Sequence, residues 1–396
     1  MAGTGTSFLS AYRAVKAFER SPGDAKRIVI YSEGKAYWPF LRPFVSALVT
    51  GTREKLSYVS SEPDDPGLAF CPERVAGYVV GSGFWLTWWF ATLKAGVLLL
   101  TMPDLDLFHL KRSFRAPVHY VYANHGCDSL HMVLRERALD RYDTLFCAGP
   151  HNVEEVRRRE ALFGLRPKQV LEIGYPHQDE LIEQAARSGY RPPDGVRPIR
   201  VLLAPSWSPA GLGTLETCGT GLTAELLGAG FEVTVRPHPQ TRKRQPECVR
   251  SLERDFAGRP GFRLESSEGD SPALPLADVL ISDWSAIALE FAFATLRPVL
   301  YLDVPRKVLN PRYEALGIEP FEVRVRREVG AVLAPGDLAQ APALVTGFCR
   351  DAPGWAARIR AVRDGNVYHV GHSAPVGAAA LVELATLAEP GPEGKP

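Results

Sequence analysis

The chain has no excess of either charge. Lys and Arg total 46 against 45 Asp and Glu, a net charge of +1 over 396 residues. A protein that grips nucleic acid by bulk positive charge is thereby excluded. The six cysteines, at 71, 127, 147, 218, 248 and 349, include no CxxC pair and no zinc-ligand spacing. There is no HExxH pair, no P-loop and no GxGxxG, so no metal ligand set is expected, and a nicotinamide or flavin cofactor is not expected either. The first residues, MAGTGTSFLSAYRAVKAFERS, lack the apolar core of a secretory leader. Reduced thiols and a cytoplasmic location are the resulting expectations. No long apolar run is present: the stretch 83–100 is broken by Lys94 and Gly96. It is read as a buried helix and strand rather than a membrane span.

The chain has a 45% hydrophobic content, enough for a large core. Gly (35) and Pro (33) are plentiful and point to many short turns. Short β-branched or apolar runs alternate with helix-periodic segments. Strands are expected at 27–32, 55–61, 75–82, 96–103, 119–126, 142–150 and 169–176, with helices at 36–49, 84–95, 151–164 and 178–187. The stretch SGYRPPDGVRP, 188–198, reads as a linker. The pattern then restarts, with strands near 199–206, 231–239 and 261–266. A strand–turn–helix–strand unit follows over 277–303, and two helices around a loop over 352–387.

Such alternation implies parallel sheets. The expected fold class is α/β, with two Rossmann-like domains facing a central cleft. The expected boundaries are residues 1–190, 197–350 and a C-terminal helical piece, 351–396, that packs back on the first domain. Ligands of such sheets bind beyond the carboxyl ends of strands, and polar tips recur there. They include Asn124-His125-Gly126, Gly149-Pro150-His151, Gly174-Tyr175-Pro176-His177, Pro205-Ser206-Trp207-Ser208, Arg236-Pro237-His238-Pro239 and Ser282-Asp283-Trp284-Ser285.

His125 is a candidate general base, since imidazole titrates near neutrality; capping a turn is the plainer role. Gly126 beside it would let the chain turn and leave room for a substrate. Arg236 and His238 sit on a turn stiffened by two prolines, suited to meeting a phosphate or simply to ending a strand. Ser282, Asp283 and Ser285 precede an apolar helix, where capping and phosphate binding are compatible roles. Ser206 and Ser208 could act similarly. The cluster 85–90, WLTWWF, is either the core face of a helix or an interfacial patch.

The ordered set HG, GP, GYP, APSW, RPHP and ADVLISDWSAIALEFAF resembles the CDP-glycerol glycerophosphotransferase family, from about residue 118 to about 305. These enzymes build teichoic acids and related polyol-phosphate chains of cell walls and capsules. The resemblance implies a glycosyltransferase-B (GT-B) fold and a CDP-polyol donor held mainly by the C-terminal domain. It implies transfer of a polyol phosphate to a lipid-linked or glycan hydroxyl, with release of CMP and peripheral contact at the inner membrane face. By the same resemblance His125 deprotonates the acceptor, and His238 and Arg236 contact the donor diphosphate. Ser206, Ser208, Ser282 and Ser285 bind phosphate, Asp283 orients its loop, and Gly126, Gly149 and Gly174 support the site. Two positions depart from the pattern. Cys127-Asp128 follows HG where the family commonly has Thr-Pro, and Ser208 stands where Arg is common. The alternatives are a nucleotide-sugar transferase on the same fold and a nucleotide-binding relative without turnover.

Overall fold

The computed structural model describes residues 6–266 and 271–388. The chain forms two compact units. The first comprises residues up to 125, 134–177 and from 367 onward; the second comprises 126–133 and 178–366.

The first unit is built on seven strands: β1 (Ile28–Ser32), β2 (Leu56–Ser60), β3 (Val75–Val79), β4 (Val97–Leu100), β5 (His119–Ala123), β6 (Thr144–Cys147) and β7 (Gln169–Glu172). All pair in parallel in the order β3-β2-β1-β4-β5-β6-β7. β1, β2, β4 and β6 are buried along their whole length, so they carry only apolar residues and small hydroxyl side chains, with no charged residue alternating to solvent. The helices of this half of the chain are α1 (Phe8–Arg20), α2 (Trp38–Gly51), α3 (Phe84–Thr92), a single turn α4 (Leu130–Val133), α5 (Pro150–Phe163) and α6 (Pro176–Arg187). α4 belongs to the second unit, and α6 carries the chain into it.

The second unit holds β8 (Arg200–Leu203), α7 (Thr214–Gly228), β9 (Glu232–Val235), α8 (Pro239–Arg244), α9 (Pro246–Phe256), β10 (Phe262–Leu264) and β11 (Val279–Ser282). α10 (Ile287–Thr295), β12 (Val299–Leu302), α11 (Phe321–Val325), β13 (Gly330–Leu333), α12 (Ala341–Arg350) and α13 (Ala352–Asn366) complete it. Its six strands are parallel in the order β10-β9-β8-β11-β12-β13. α10 is apolar all round because it is buried all round, from Ala288 to Ala294. The last helix, α14 (Ser373–Leu387), returns to the first unit and packs on α2. There Ala378, Leu381, Leu384 and Ala385 join Phe44, Val45 and Leu48 in one core.

Two elements differ from the sequence-based expectation. The Pro-rich stretch 188–198 is not a loose connector. Tyr190 and Arg197 both bond the buried Asp278 carboxylate, at 2.9 and 2.6 Å, which seats the stretch on the second unit. The N-terminal segment, whose first five residues lie outside those described, is an amphipathic helix from Phe8 with Ala11, Val15 and Phe18 buried. The cluster 85–90 divides by face. Leu86, Trp89 and Phe90 are core, whereas Trp88 is 37% exposed and the adjacent Phe84 60% exposed. Among the described residues no helix is long and apolar enough to cross a membrane, and none of the six cysteines is in a disulfide.

Candidate active site

In a doubly wound parallel sheet the strand order reverses at one point, and the loops leaving the two strands there diverge to open a crevice. In the second unit that point lies between β8 and β11. Asp283, the residue after β11, fills it. One carboxylate oxygen accepts the backbone N–H of Ser206 at 2.7 Å, and the other accepts the Thr214 hydroxyl at 2.7 Å and its N–H at 3.3 Å. Asp283 is 2% exposed, so these bonds replace its hydration. They fix the loop after β8 and the start of α7 together.

Beside it is a pocket contained entirely in the second unit. Its polar wall is Asp128, Asp283, Ser285, Tyr301, Lys307, Glu322 and Arg326. Its apolar wall includes Met132, Trp284 and Leu289. The Arg326 guanidinium lies 4.0 Å over the Trp284 ring, which itself is pinned by its indole N–H to the Val304 carbonyl at 2.8 Å. Lys307 gives this pocket a cation suited to a diphosphate, and Arg326 adds a second that also pairs with Asp303 at 3.2 Å.

His238 opens α8. Its Nδ1 accepts the Gln240 N–H at 3.0 Å, so the neutral ring carries its proton on Nε2, a tautomer assigned from that bond. Burial first, and then the Lys307 charge, lower its pKa to about 4, with Asp283 opposing. At neutral pH it is therefore an uncharged hydrogen-bond donor.

In the first unit His125 follows β5, with the rings of Tyr37 and Phe40 edge-on to it at centroid distances of 6.2 and 5.8 Å. Phe40 also meets His177 at 5.0 Å. Glu33, the residue after β1, lies at the reversal point of this sheet, between β1 and β4. Burial raises its pKa to about 7 against a hydrogen bond from Tyr37 that lowers it.

The second unit thus brings Ser206, Asp283, Ser285 and His238 to one end of its sheet. Ser208 is half-buried nearby, its hydroxyl accepting the Leu212 N–H at 3.3 Å. Three expectations are corrected. Ser282 is fully buried, and its hydroxyl donates to the Ala204 carbonyl at 2.8 Å; it holds β11 to β8 rather than facing a ligand. It does not cap the helix either, since α10 opens at Ala286 with no side-chain cap. Arg236 is not a lone cation: it pairs with Glu265 at 2.9 Å. Gly126 has no left-handed backbone, and a methyl group there would meet nothing closer than 3.7 Å. By contrast Gly174, at φ +88°, is required by contact, because a Cβ would lie 2.1 Å from the Tyr368 carbonyl oxygen. Gly149 precedes α5 in extended backbone. Sequence reasoning missed Glu33, Lys307, Glu322 and Arg326. Glu33 and Lys307 follow strands and obey the same strand-end rule; Glu322 and Arg326 carry no such signal.

The model of the family described as CDP-Glycerol:Poly(glycerophosphate) glycerophosphotransferase matches residues 76–304. No curated protein is a significant sequence match. Among solved structures, the wall teichoic acid polymerase TagF is similar at 14% identity and TM-score 0.57, covering 95% of this chain and 94% of that one. A His-to-Asn variant of TagF soaked with CDPG is similar at 15% identity and TM-score 0.58, covering 96% and 98%. The UDP-GlcNAc 2-epimerase of Methanocaldococcus jannaschii, in complex with UDP-GlcNAc and UDP, is similar at 12% identity and TM-score 0.52, covering 91% and 99%. At these identities the likeness is one of fold.

Proposed function

This chain belongs to the CDP-glycerol:poly(glycerophosphate) glycerophosphotransferase family, and from that premise we propose that it transfers a polyol phosphate from a CDP-linked donor to a hydroxyl of a lipid-linked or glycan acceptor, releasing CMP. It is a transferase of α/β architecture, with two Rossmann-like domains of GT-B type. The observation that carries the proposal is the family match over residues 76–304, which takes in both His125 and His238.

In this mechanism the acceptor oxygen attacks the phosphorus that bears the polyol. His125 takes the acceptor proton as the new P–O bond forms. The bond to the bridging oxygen of the diphosphate breaks, and CMP leaves with its electron pair. Phosphoryl transfer of this kind needs positioning and charge neutralisation more than covalent help. His238, neutral with a proton on Nε2, donates to a phosphate oxygen, and Lys307, with Arg326 shared between the ligand and Asp303, balances the diphosphate charge. Ser206, Ser208 and Ser285 line the phosphates, and Asp283 holds their loops in register. CDPG in the TagF crystals supports the donor class.

Contact with an anionic bilayer is the second part of the proposal. Phe8 (62% exposed) on α1 stacks on Phe84 of α3, which stacks on Trp88, and Tyr12 meets Trp85; Leu9 is exposed on the same helix as Phe8. Arg13 is an exposed cation on α1 itself, and Lys94 is exposed two residues beyond the end of α3. Aromatic side chains set among cations suit a headgroup interface, where rings enter the acyl boundary and cations meet phosphate.

The deciding experiment offers the enzyme CDP-glycerol, CDP-ribitol, UDP-glucose and UDP-N-acetylglucosamine with a prenyl-linked acceptor, and identifies the released nucleotide. CMP release that depends on acceptor, and is lost in His125→Ala and His238→Ala, is the expected result. UDP release from a nucleotide sugar would overturn it in favour of a glycosyl transfer, and no turnover of any donor would favour a nucleotide-binding relative.

A further inference from the structure

The segment that follows His125, Gly126–Val133, is held by one run of chain between β12 and β13. Asn310 donates from Nδ2 to the His131 carbonyl at 2.9 Å. The backbone N–H groups of Leu309 and Asn310 both reach the Met132 carbonyl, at 3.1 and 3.3 Å. The contact nearest to His125 is the most specific. Ser129 donates its N–H to one carboxyl oxygen of Glu322 at 2.9 Å and its hydroxyl to the other at 2.8 Å. Ser129 is fully buried, so no water can replace that carboxyl if it is removed.

The same carboxyl faces the pocket described above. The charged and titratable groups around it are Asp128 from the segment itself, Asp283 after β11, Tyr301 on β12, Lys307 after β12 and Arg326 after α11. Burial, and next the Asp128 charge, raise its pKa, and the two bonds from Ser129 oppose that rise.

We propose that Glu322 is a positioning residue for His125: by bracketing Ser129 with both carboxyl oxygens it fixes the loop of which His125 is the first side chain. This rests on His125 being the base. The physical need is plain in the chain. Tyr37 and Phe40 meet the His125 ring edge-on, but Gly126 imposes no left-handed turn and no close packing, so the path of the backbone beyond that ring depends on what holds the residues that follow. A misplacement of about 1 Å at a reacting group lowers the rate by roughly a hundredfold. A two-bond bracket a few residues away is the device that prevents it. Gln can serve the same bracket, accepting the Ser129 N–H through its oxygen and donating to the Ser129 hydroxyl through its amide.

The test is a cycle of His125→Ala, Glu322→Ala and the double variant in the full chain, with Glu322→Gln and Ser129→Ala beside it. Initial rates of CMP release are measured against CDP-glycerol from pH 6 to 9.5, and each variant is checked by thermal melting. Glu322→Ala is expected to lower kcat by about 10- to 100-fold with little change in donor KM. In the His125→Ala background it is expected to lower the residual rate no further. Glu322→Gln, which keeps an acceptor for the Ser129 N–H, is expected to recover most of the kcat that Glu322→Ala loses. Equal losses with and without His125, or no loss of kcat in Glu322→Ala, overturn the inference. Near-normal turnover in His125→Ala is instead the failure of the base assignment, and it is visible before Glu322 is altered. Should Glu322→Ala not fold, Ser129→Ala, which removes only the hydroxyl bond, decides by the same non-additivity with His125→Ala.

Discussion

The carboxylate of Asp283 accepts the backbone N–H of Ser206 at 2.7 Å, across 77 residues of sequence. It joins the ends of the two strands between which the order of the second sheet reverses. Replacing it with Ala leaves the N–H of Ser206 and the N–H and hydroxyl of Thr214 without this acceptor. A loss of about 2–4 kcal/mol is expected, with Asn losing less because it keeps one acceptor oxygen. Urea unfolding followed by a probe in the second unit measures it, and equal stability of Ala and wild type would refute the anchoring role.

His238 is expected to stay neutral down to about pH 4, because burial and Lys307 both oppose its protonation. Its ring resonance, identified by comparison with His238→Gln, should not shift between pH 8 and 5.5. Since its folded pKa is depressed, the associated stability is full above the unfolded value near 6.5 and declines as pH falls toward 4. Removing the donor with Ala should lower kcat by roughly 100- to 1000-fold. A titration midpoint near 6.5 would contradict the assignment.

Glu33 works in the opposite sense. Its pKa is raised to about 7 by burial, so the folded state resists its ionisation. Stability is lost as pH climbs from the unfolded value near 4.3 through 7 and is constant beyond. Glu33→Gln should therefore stabilise the first unit by about 2 kcal/mol at pH 8, after discounting for its partial exposure, and by progressively less toward pH 4.5. Thermal melts at several pH values read this directly. A pH-independent difference would place the cause elsewhere.

Two glycines that look alike in sequence should respond differently. Gly174→Ala forces a side chain into φ +88° and against the Tyr368 carbonyl, and should destabilise by about 2 kcal/mol or more. Gly126→Ala has room and an ordinary backbone, and should change stability by less than about 0.5 kcal/mol. Melting curves of the two proteins make the comparison.

The exposed rings of α1 and α3 give a further expectation. Phe8→Ser combined with Phe84→Ser should weaken binding to vesicles of anionic lipid at least tenfold, about 1.4 kcal/mol, without lowering the melting temperature. Co-sedimentation at low and high salt is the measurement. Unchanged binding would assign the patch another role.

Much of this architecture is legible in the residues themselves. The parallel strands are short apolar runs because both faces are covered, and the helices between them keep their period. The rule that chemistry follows strand ends finds His125, His238 and Asp283. It fails where a side chain's availability depends on partners distant in sequence. Arg236 meets Glu265 and Ser282 meets the Ala204 carbonyl, and neither pairing leaves a mark in the local pattern. The run after β12 is illegible for another reason. Lys307, Glu322 and Arg326 sit on short turns and a five-residue helix with no repeating spacing, so only the fold gathers them. α1 escapes a motif-led search because its apolar face is narrow.

α14 closes the core of the first unit from the far end of the chain, with Gly377 lying flat on the Phe44 ring. Ribosomal synthesis delivers that helix only after the strands of both sheets. The apolar strip of α2 stays uncovered until residues 373–387 have emerged, while most of the second unit, residues 178–366, is already made. A chain cut short before Ser373 is then not a smaller enzyme. It is a molecule with a finished second unit and an open first one, marked for quality control by the hydrophobic surface it cannot hide.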